Sequence, residues 1–253
     1  MIEKPYSIFA ETNDYLVVIK NASVPSSKGL TPNSVSELVE KDFPEIALVQ
    51  GKKQNDGGLV HRLDTETSGL MLFAKNQGFY DFIMEAQSKN QFEKTYTAYC
   101  AIKSSDWKKI ENFGSKSIQS FFRSFGEKGA MVKPVFDLEN ETRANKKKCG
   151  KKLYETKIES IEKFLVKTFN QKEIILLKIK CKITQGFRHQ VRSHLASQNL
   201  PVFGDKVYNP VFSNASKMLF FASGMDFLDK SYKISESVLD EIAKTTFLAS
   251  AIR

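Results

Sequence analysis

The segment EIILLKIKCKI (173–183) constrains the fold of this chain more than any other. Its second half places Leu177, Ile179, Cys181 and Ile183 at alternate positions, with a lysine between each pair. Because successive side chains of a strand point to opposite faces, we expect a strand with one buried face and one wet face. Such strands are typical of antiparallel or mixed sheets, since parallel sheets are usually covered on both faces.

Other apolar patterns along the chain predict strands and helices in an irregular order. Runs rich in β-branched and aromatic residues are typical of strands, and apolar residues three or four positions apart are typical of helices. Since no regular β–α–β rhythm emerges, we expect one α+β domain with a mixed or antiparallel sheet. The predicted strands cover residues 14–21, 70–75, 93–102 and 217–223, and the predicted helices cover residues 34–43, 76–90, 188–199 and 235–246.

Two of these helices carry start signals in the sequence. Ser34 is followed three residues later by Glu37, which is the spacing of a capping box. Asn76 precedes an apolar stripe at helical spacing and can accept a hydrogen bond from the first helical turn. Residues 103–153 lack long apolar patterns, and we expect the least regular part of the chain there.

The composition narrows the class of protein. The chain has no run of 18 apolar residues, which argues against a membrane span. Its start lacks the layout of a secretion signal, and its three scattered cysteines are typical of free thiols. We therefore expect a reducing, cytoplasmic location and no zinc site. The net charge of +9 favours a polyanionic partner such as RNA, DNA or an anionic membrane surface, with nucleic acid the preferred one.

The segment HRLDTETSG (61–69) is the first candidate for chemistry. It fits a turn in which Asp, Thr and Ser side chains bond nearby N–H groups and Gly69 supplies an unusual φ. Asp64 also fits a carboxylate nucleophile, provided that a cationic neighbour keeps it ionised. Arg62 could be that neighbour or could turn towards a ligand. An acid–base pair of Asp64 and Glu66 is a third interpretation, for which a spacing of two residues is weak support.

The segment GFRHQVRSH (186–194) is the second candidate. Arg188 and Arg192 are four residues apart, so on a helix they would share one face. His189 and His194 are five apart, which argues against a metal site of two histidines on one helix. The segment is predicted to be either a basic surface helix or a helix that presents arginines to a phosphate or carboxylate.

The segment KTYTAY (94–99) is the third candidate. On a strand, Lys94, Tyr96 and Ala98 share one face. A strand tyrosine usually packs in a core or a surface pair, but in a nucleic-acid-binding protein it can stack on a base.

A lysine run, ANKKKCGKK (144–152), interrupts the middle of the chain. It is either a solvated loop or a basic arm that contacts RNA phosphates. The lysines concerned are Lys146, Lys147, Lys148, Lys151 and Lys152.

Taken together, and in their order along the chain, the three candidate segments resemble the RluA-type family of RNA pseudouridine synthases. HRLDTETSGLMLFAK (61–75) is similar to the aspartate motif of that family, and EKTYTAYC (93–100) to its tyrosine motif. GFRHQVRSHLASQNLPVFGDKVY (186–208) resembles its arginine-containing segment, and DYLVVIKNASVP (14–25) resembles its opening strand. The resemblance runs from about residue 6 to residue 225. Because the aspartate and arginine motifs are long, the resemblance is specific.

The resemblance implies the pseudouridine synthase fold, with a mixed, mostly antiparallel bent sheet, flanking helices and a central catalytic cleft. It also implies the reaction: isomerisation of uridine in RNA to pseudouridine, by breaking the N1–C1′ bond and joining C5 to the ribose. The reaction needs no cofactor and no metal, and the base must leave its stack to be reached. The RNA partner would be ribosomal RNA, transfer RNA or both.

The resemblance also assigns roles to individual residues. Asp64 would be the catalytic carboxylate, which attacks the ribose, attacks the uracil or assists formation of a glycal. Tyr96 would stack on the uracil, near the proton that leaves C5. Arg192 would pair with Asp64 and keep it ionised and oriented. Arg62 would hold the extruded nucleotide or fill its place in the stack. The expected RNA-binding residues are Arg62, His61, Arg188 and the five lysines of the run.

The sequence departs from the family pattern at three points. Phe187 stands where an arginine usually follows the motif glycine, so the role of that arginine is not carried over. Residues 20–23, KNAS, replace the usual KPxG and should alter a loop without altering the chemistry. We expect the chain to begin directly in the catalytic region, without the S4-like domain that many members of the family carry. We therefore expect a single catalytic domain over residues 1–253, a basic insertion near residues 140–153 and a monomer.

Two rival functions remain at this point. An RNA-binding protein of this fold could have lost its activity and act as a chaperone or assembly factor. A nucleotide hydrolase using Asp64 and Glu66 would instead release the free base.

Overall fold

The structure, a computed structural model, describes residues 4–29, 32–53, 56–111, 114–169, 171–215 and 217–250. The chain comprises two compact units. Unit 1 contains residues 1–94 and 221–234, and unit 2 contains residues 95–220 and 235–253. The expectation of a single catalytic domain stays a prediction, as do the bend of the sheet and the central cleft.

Unit 1 combines a small sheet with three helices. Strands β1 to β3 pair antiparallel in sequence order, β3 pairs parallel with β9 at one end, and β10 pairs antiparallel with β9. The elements are β1 (Tyr6–Glu11), β2 (Tyr15–Lys20), α1 (Val35–Asp42), α2 (Pro44–Ala47), β3 (Ser68–Ala74), α3 (Gln77–Ser88), β9 (Phe220–Phe227) and β10 (Lys230–Lys233).

The core of unit 1 lies where α3 packs against the sheet. Ile83 and Ala86 of α3 are buried together with Leu70, Leu72 and Phe92. The two predicted start signals are confirmed, since Ser34 and Glu37 form a capping box before α1 and the Asn76 side chain accepts a hydrogen bond from the backbone N–H of Phe79. Helix α3 therefore begins where its sequence predicts.

Unit 2 contains a second set of strands in the order β4-β8-β7-β5-β6. The pairs β7–β8, β5–β7 and β5–β6 are antiparallel. Helix α4 contacts β5, and helix α5 contacts β6 and β7. The elements are β4 (Phe92–Lys103), β5 (Lys116–Phe125), β6 (Met131–Val135), α4 (Arg143–Lys148), β7 (Tyr154–Phe169), β8 (Lys172–Ile183), α5 (Gln190–Ser197) and α6 (Glu236–Ala249).

Strand β8 corrects the expectation of one wet face. Its apolar alternation is confirmed, because Leu177, Ile179, Cys181 and Ile183 are all buried. Lys178, on the opposite face, is also buried. Helix α6 supplies it with anionic partners, and its ammonium lies 3.0 Å from a Glu236 oxygen and 2.8 Å from an Asp240 oxygen. This part of the face is therefore covered by an ion-paired helix instead of by water.

The expectation of an irregular middle is also corrected. Residues 103–153 contain β5, β6 and α4, and two short 3-10 helices at Ser104–Lys109 and Glu127–Gly129. The apolar residues of β5 are interspersed with polar ones, so a search for long apolar runs misses it.

The fold class is confirmed as α+β, with strands that pair mostly antiparallel and helices that pack beside them. Among the helices in the described ranges, none combines the length and hydropathy needed to span a bilayer.

Candidate active site

Asp64 lies in unit 1, on a short connection that leads into β3. Its carbonyl accepts a hydrogen bond from the backbone N–H of Thr67 at 3.0 Å, so residues 64–67 form a tight turn. The predicted turn is therefore confirmed. Asp64 is half-buried.

The backbone on both sides of Asp64 is fixed by side chains from residues 20–26. The Ser26 hydroxyl donates to the Leu63 carbonyl at 2.7 Å and accepts from the Leu63 N–H at 3.0 Å. The Lys20 ammonium donates to the Thr65 carbonyl at 2.9 Å. Such bonds to each neighbour restrain the backbone that carries the Asp64 side chain.

Lys20 is fully buried and satisfies its charge with carbonyl oxygens. In addition to Thr65, its ammonium donates to the carbonyls of Asn21 at 2.9 Å and Val24 at 2.8 Å. All three N–H donors are thus used. Burial lowers the pKa of Lys20 to about 8, and the negative charges of Glu66 and Asp64 oppose this shift. A buried cation therefore lies within the electrostatic reach of the Asp64 carboxylate.

Ser23 stands where the family pattern has its glycine, and it adopts a left-handed φ of 65°. Its hydroxyl donates to a Glu66 oxygen at 3.1 Å. The departure predicted to alter only a loop thus keeps the glycine-like backbone conformation with a serine. Glu66 thus accepts a hydrogen bond from this loop. This contact does not specifically support the interpretation of Glu66 and Asp64 as an acid–base pair.

Gly69 fixes the start of β3. Its φ is 128°, and a Cβ atom at this position would lie 2.3 Å from the carbonyl oxygen of Ala222 in β9. The unusual φ expected of Gly69 is confirmed. Glycine is required here because the paired strand approaches too closely for a side chain.

His61 and Arg62 precede Asp64 and differ in exposure. Arg62 is exposed to solvent. The His61 ring packs edge-on against Phe92, with ring centroids 5.6 Å apart. Both ring nitrogens are buried, and neither has a hydrogen-bond partner in the described parts of the chain. Burial, reinforced by the charge of Lys94, lowers the pKa of His61 to about 3, so the ring is neutral. A role for either residue in RNA binding stays a prediction.

Tyr96 lies on β4 in unit 2 and is nearly buried. Its ring stacks on that of Phe220, with centroids 5.2 Å apart and planes 9° from parallel. Stacking on Phe220 fixes the orientation of the tyrosine ring. A ring fixed in this way suits a surface on which a base stacks.

Arg192 lies on α5 in unit 2 and is buried, contrary to the option of a basic surface helix. Its guanidinium makes a bidentate ion pair with the fully buried Asp205, through Nε at 2.8 Å and a terminal nitrogen at 2.7 Å. It also lies over the Tyr208 ring, 5.5 Å from the centroid. A guanidinium has enough N–H donors to bind more than one anion. The predicted pairing with Asp64 stays a prediction.

The predicted helical pair of Arg188 and Arg192 is wrong. Helix α5 begins only at Gln190, because His189 adopts a left-handed φ of 53°. Arg188 therefore precedes the helix, is exposed, and donates to the carbonyl of Gly129. The Gln190 side chain accepts from the Phe187 N–H at 2.9 Å and closes the turn before the helix.

The other histidine of the segment, His194, is a core residue. Its two ring nitrogens bond to the hydroxyls of Ser120 and Thr156, both at 2.8 Å. Burial lowers its pKa to about 4. Within the described parts of the chain, no three His, Cys, Asp or Glu side chains cluster closely enough to hold a metal ion.

The lysine run forms the short helix α4 and the loop that follows it. Thr142 caps the helix by accepting a hydrogen bond from the N–H of Asn145. Lys146 donates to the Glu139 carbonyl at 2.9 Å, and Lys152 donates to the Gln185 side chain at 2.7 Å. All five lysines are exposed to solvent: Lys146, Lys147, Lys148, Lys151 and Lys152.

Sequence reasoning missed the residues that position the candidates. The sequence predicts that Lys20 belongs to a strand, and nothing near Lys20 or Ser26 in the sequence indicates a contact with residues 63–65. Asp205 follows Gly204 within the 186–208 segment that resembles the family. This motif could have identified Asp205 as a candidate residue. The ion pair itself could not be predicted from a local pattern, because Asp205 lies 13 residues after Arg192 in the sequence.

Comparison with known proteins adds independent findings. The family model for RNA pseudouridylate synthase matches residues 14–197. An uncharacterized RNA pseudouridine synthase of Aquifex aeolicus is 28% identical over 87% of this chain and 61% of its own length. Ribosomal large subunit pseudouridine synthase D of Borreliella burgdorferi is 26% identical over 85% of this chain and 58% of its own length. The chain thus spans about three fifths of the length of these curated relatives.

A solved structure shows the same fold. Human RNA pseudouridylate synthase domain containing 1 aligns over 96% of this chain and 95% of its own, with a TM-score of 0.61 and 17% identity. The family model covers more than half of the chain, including the Asp64 turn, Tyr96 and Arg192. The chain belongs to the RNA pseudouridylate synthase family.

Proposed function

We propose that this protein is an RNA pseudouridine synthase that converts uridine to pseudouridine, with Asp64 as its catalytic carboxylate. The observation that carries the proposal is the Asp64 turn, which Ser26 and Lys20 hold on either side within the region that matches the family. A rigidly held, half-buried carboxylate suits covalent or acid–base chemistry at a sugar or base.

Tyr96 and Arg192 complete the proposed site. The Tyr96 ring, backed by Phe220, would stack on the extruded uracil. Arg192, anchored by Asp205, would direct its remaining donors to the Asp64 carboxylate and keep it ionised. Arg62, exposed beside Asp64, would hold the nucleotide or take its place in the RNA stack.

We further propose that the substrate is ribosomal RNA and that the protein acts in the cytoplasm as a monomer. The name of the Borreliella burgdorferi relative, a ribosomal large subunit synthase, supports ribosomal RNA over transfer RNA. The net charge of +9 suits a polyanionic substrate. Neither a cofactor nor a metal is part of the proposed reaction.

The proposal is tested on total RNA from cells that lack the gene. The purified protein and an Asp64→Ala variant are each incubated with this RNA, and pseudouridine is then mapped along it. We expect new pseudouridine at one or a few positions with the unchanged protein and none with the variant.

The same incubation separates the rival functions. Release of free uracil would support a hydrolase. Tight RNA binding with no change in the nucleosides would support a chaperone or assembly factor. Either outcome contradicts the proposed synthase activity.

A further inference from the structure

Three lysines are buried among the described residues: Lys20, Lys94 and Lys178. A buried ammonium is costly unless oxygen atoms compensate its charge. Lys20 has three carbonyl partners, and Lys178 has the carboxylates of Glu236 and Asp240. These two lysines are therefore satisfied within the fold.

Lys94 is different, although only 4% of it is exposed. Its ammonium lies over the Phe92 ring, 4.6 Å from the centroid. Within the described part of the chain, no carboxylate or carbonyl oxygen compensates it, and burial alone lowers its pKa to about 8. Lys94 therefore carries a positive charge at neutral pH for which the described residues supply no oxygen partner.

His61 has unused hydrogen-bonding capacity at the same place. Its ring contacts the same Phe92 ring that Lys94 covers, and its pKa responds to the charge of Lys94. Both of its ring nitrogens are buried without a partner among the residues that the structure describes, as is the Thr67 hydroxyl. His61 and Thr67 lie three residues before and three residues after Asp64. Both residues thus belong to the segment that carries the candidate carboxylate, and buried polar atoms of this kind are explained by a ligand that completes the site.

We propose that the Lys94 ammonium binds a carbonyl oxygen of the substrate uracil and stabilises the negative charge that the ring acquires during the reaction. This inference rests on the proposed function. A flat base with a carbonyl edge suits a nearly enclosed ammonium beside an aromatic ring better than a hydrated phosphate does. The neutral His61 ring can supply a second N–H donor or an acceptor to the same base.

The charge balance of the reaction gives Lys94 its role. When the N1–C1′ bond breaks, its electron pair goes to the uracil, and the negative charge spreads over the ring nitrogen and the carbonyl oxygens. If Asp64 instead adds to the uracil, negative charge also develops on a carbonyl oxygen. In each case the ammonium stays protonated and acts by electrostatic attraction, which is stronger for the charged ring than for the neutral base.

The test compares Lys94→Met with the unchanged protein at enzyme excess over the total RNA of cells that lack the gene. Methionine keeps the length of the side chain and removes the uncompensated charge. We expect the rate constant of pseudouridine formation to fall about 100-fold. RNA affinity should stay within about threefold, and the thermal unfolding temperature should stay equal or rise, because an unpaired buried charge is lost.

Three outcomes would overturn the inference. An unchanged rate would show that Lys94 takes no part in the reaction. A loss of RNA affinity at an unchanged rate would mean that Lys94 binds a phosphate. A rate loss accompanied by a lower unfolding temperature would mean a structural role. If the unchanged protein forms no pseudouridine, it is instead the proposed function that fails.

A modified substrate gives a second, independent readout. In RNA that contains 5-fluorouridine, the fluorine already stabilises negative charge on the base. We therefore expect Lys94→Met to slow the loss of the N-glycosidic bond less in this RNA than in ordinary RNA. An equal slowing in both RNAs would contradict charge stabilisation by Lys94.

Discussion

At the scale of single residues, Asp64 owes its position to side chains that lie far from it in the sequence. Lys20 holds the carbonyl that follows Asp64, and Ser26 holds the residue that precedes it. Local patterns predicted the turn itself, because Asp, Thr, Ser and Gly residues favour turns. The tertiary contacts that aim the turn involve a spacing of about 40 residues, and periodicity cannot reveal them.

Lys20 should be important for stability. Replacing it by methionine leaves the carbonyls of Asn21, Val24 and Thr65 without their common donor. We expect Lys20→Met to lower the free energy of unfolding by about 2–3 kcal/mol, as measured by urea denaturation. Lys94→Met is the matched control, because it removes a lysine of similar burial that has no oxygen partner within the described ranges. Equal effects of the two substitutions would contradict this assignment.

Ser23 should be a site of backbone strain. A left-handed conformation costs a non-glycine residue about 1–2 kcal/mol, whereas glycine adopts it freely. We expect Ser23→Gly to raise the free energy of unfolding by about 0.5 kcal/mol, after the larger entropy of the unfolded chain is subtracted. The neighbouring Ala22→Gly should lower it by about 0.5–1 kcal/mol, since that residue is unstrained. A loss of stability in both variants would rule out strain at Ser23.

Lys94 should also give a pH-dependent stability of predictable sign. Burial lowers its pKa from 10.5 to about 8, so between these values the unfolded chain binds more protons than the folded chain. The cost of the buried charge is present below pH 8 and is relieved as the pH rises. His61, with a pKa of about 3, stays neutral throughout this range.

The corresponding measurement is urea denaturation between pH 7 and pH 10. Relative to Lys94→Met, the unchanged protein should gain about 1.4 kcal/mol of unfolding free energy per pH unit above pH 8. A difference between the two proteins that does not vary with pH would show that Lys94 is not an uncompensated charge.

At the scale of elements, the sequence is most informative where a periodic pattern coincides with a cap or a break. Helix α3 follows its Asn76 cap, and β8 follows the alternation of its apolar residues. Strands β5 and β7 were missed because their apolar residues are interspersed with lysine, glutamate and serine. Their strand conformation depends on pairing with neighbours, which a local pattern does not record.

Helix α5 illustrates a boundary set by side-chain bonding. The histidine at position 189 takes a left-handed conformation, and Gln190 closes the turn with the Phe187 N–H. Apolar periodicity extends across this point, so it predicted a start two residues too early. The error mattered for the site, because it joined an exposed Arg188 to a buried Arg192.

Helix α4 and the loop after it carry the test of the basic arm. Changing Lys146, Lys147, Lys148, Lys151 and Lys152 to serine should weaken RNA binding and flatten its dependence on salt, because fewer counterions are released. The measurement is the dissociation constant for RNA over a range of salt concentrations. The side chains are exposed, so the fold should not change.

A control variant with the same change of net charge shows whether the loss of RNA affinity depends on the position of the lysines. It replaces five exposed lysines of unit 1 by serine, namely Lys4, Lys41, Lys52, Lys53 and Lys89. A smaller loss of affinity in the control is expected if the run is a binding arm. Equal losses would mean that only the overall charge attracts RNA, and unchanged affinity in both would leave the run a solvated loop.

At the scale of the whole molecule, the net charge of +9 and the family membership support the same function. Composition alone favoured a nucleic-acid partner but no reaction. The order of the three motifs led to the proposed reaction. The structure shows the contacts that Asp64, Tyr96 and Arg192 make within their own units.

The central claim is that Asp64 catalyses pseudouridine formation. Its most direct test measures the pseudouridine formed by the unchanged protein and by a variant with an amide of the same shape at position 64. The unchanged protein and Asp64→Asn are compared at equal folded concentration, verified by their unfolding temperatures, on RNA from cells that lack the gene. The account predicts pseudouridine with the carboxylate and at least about 1,000-fold slower formation with the amide, since an amide is neither nucleophile nor base. Pseudouridine formed at similar rates by both proteins, or by neither, would contradict it.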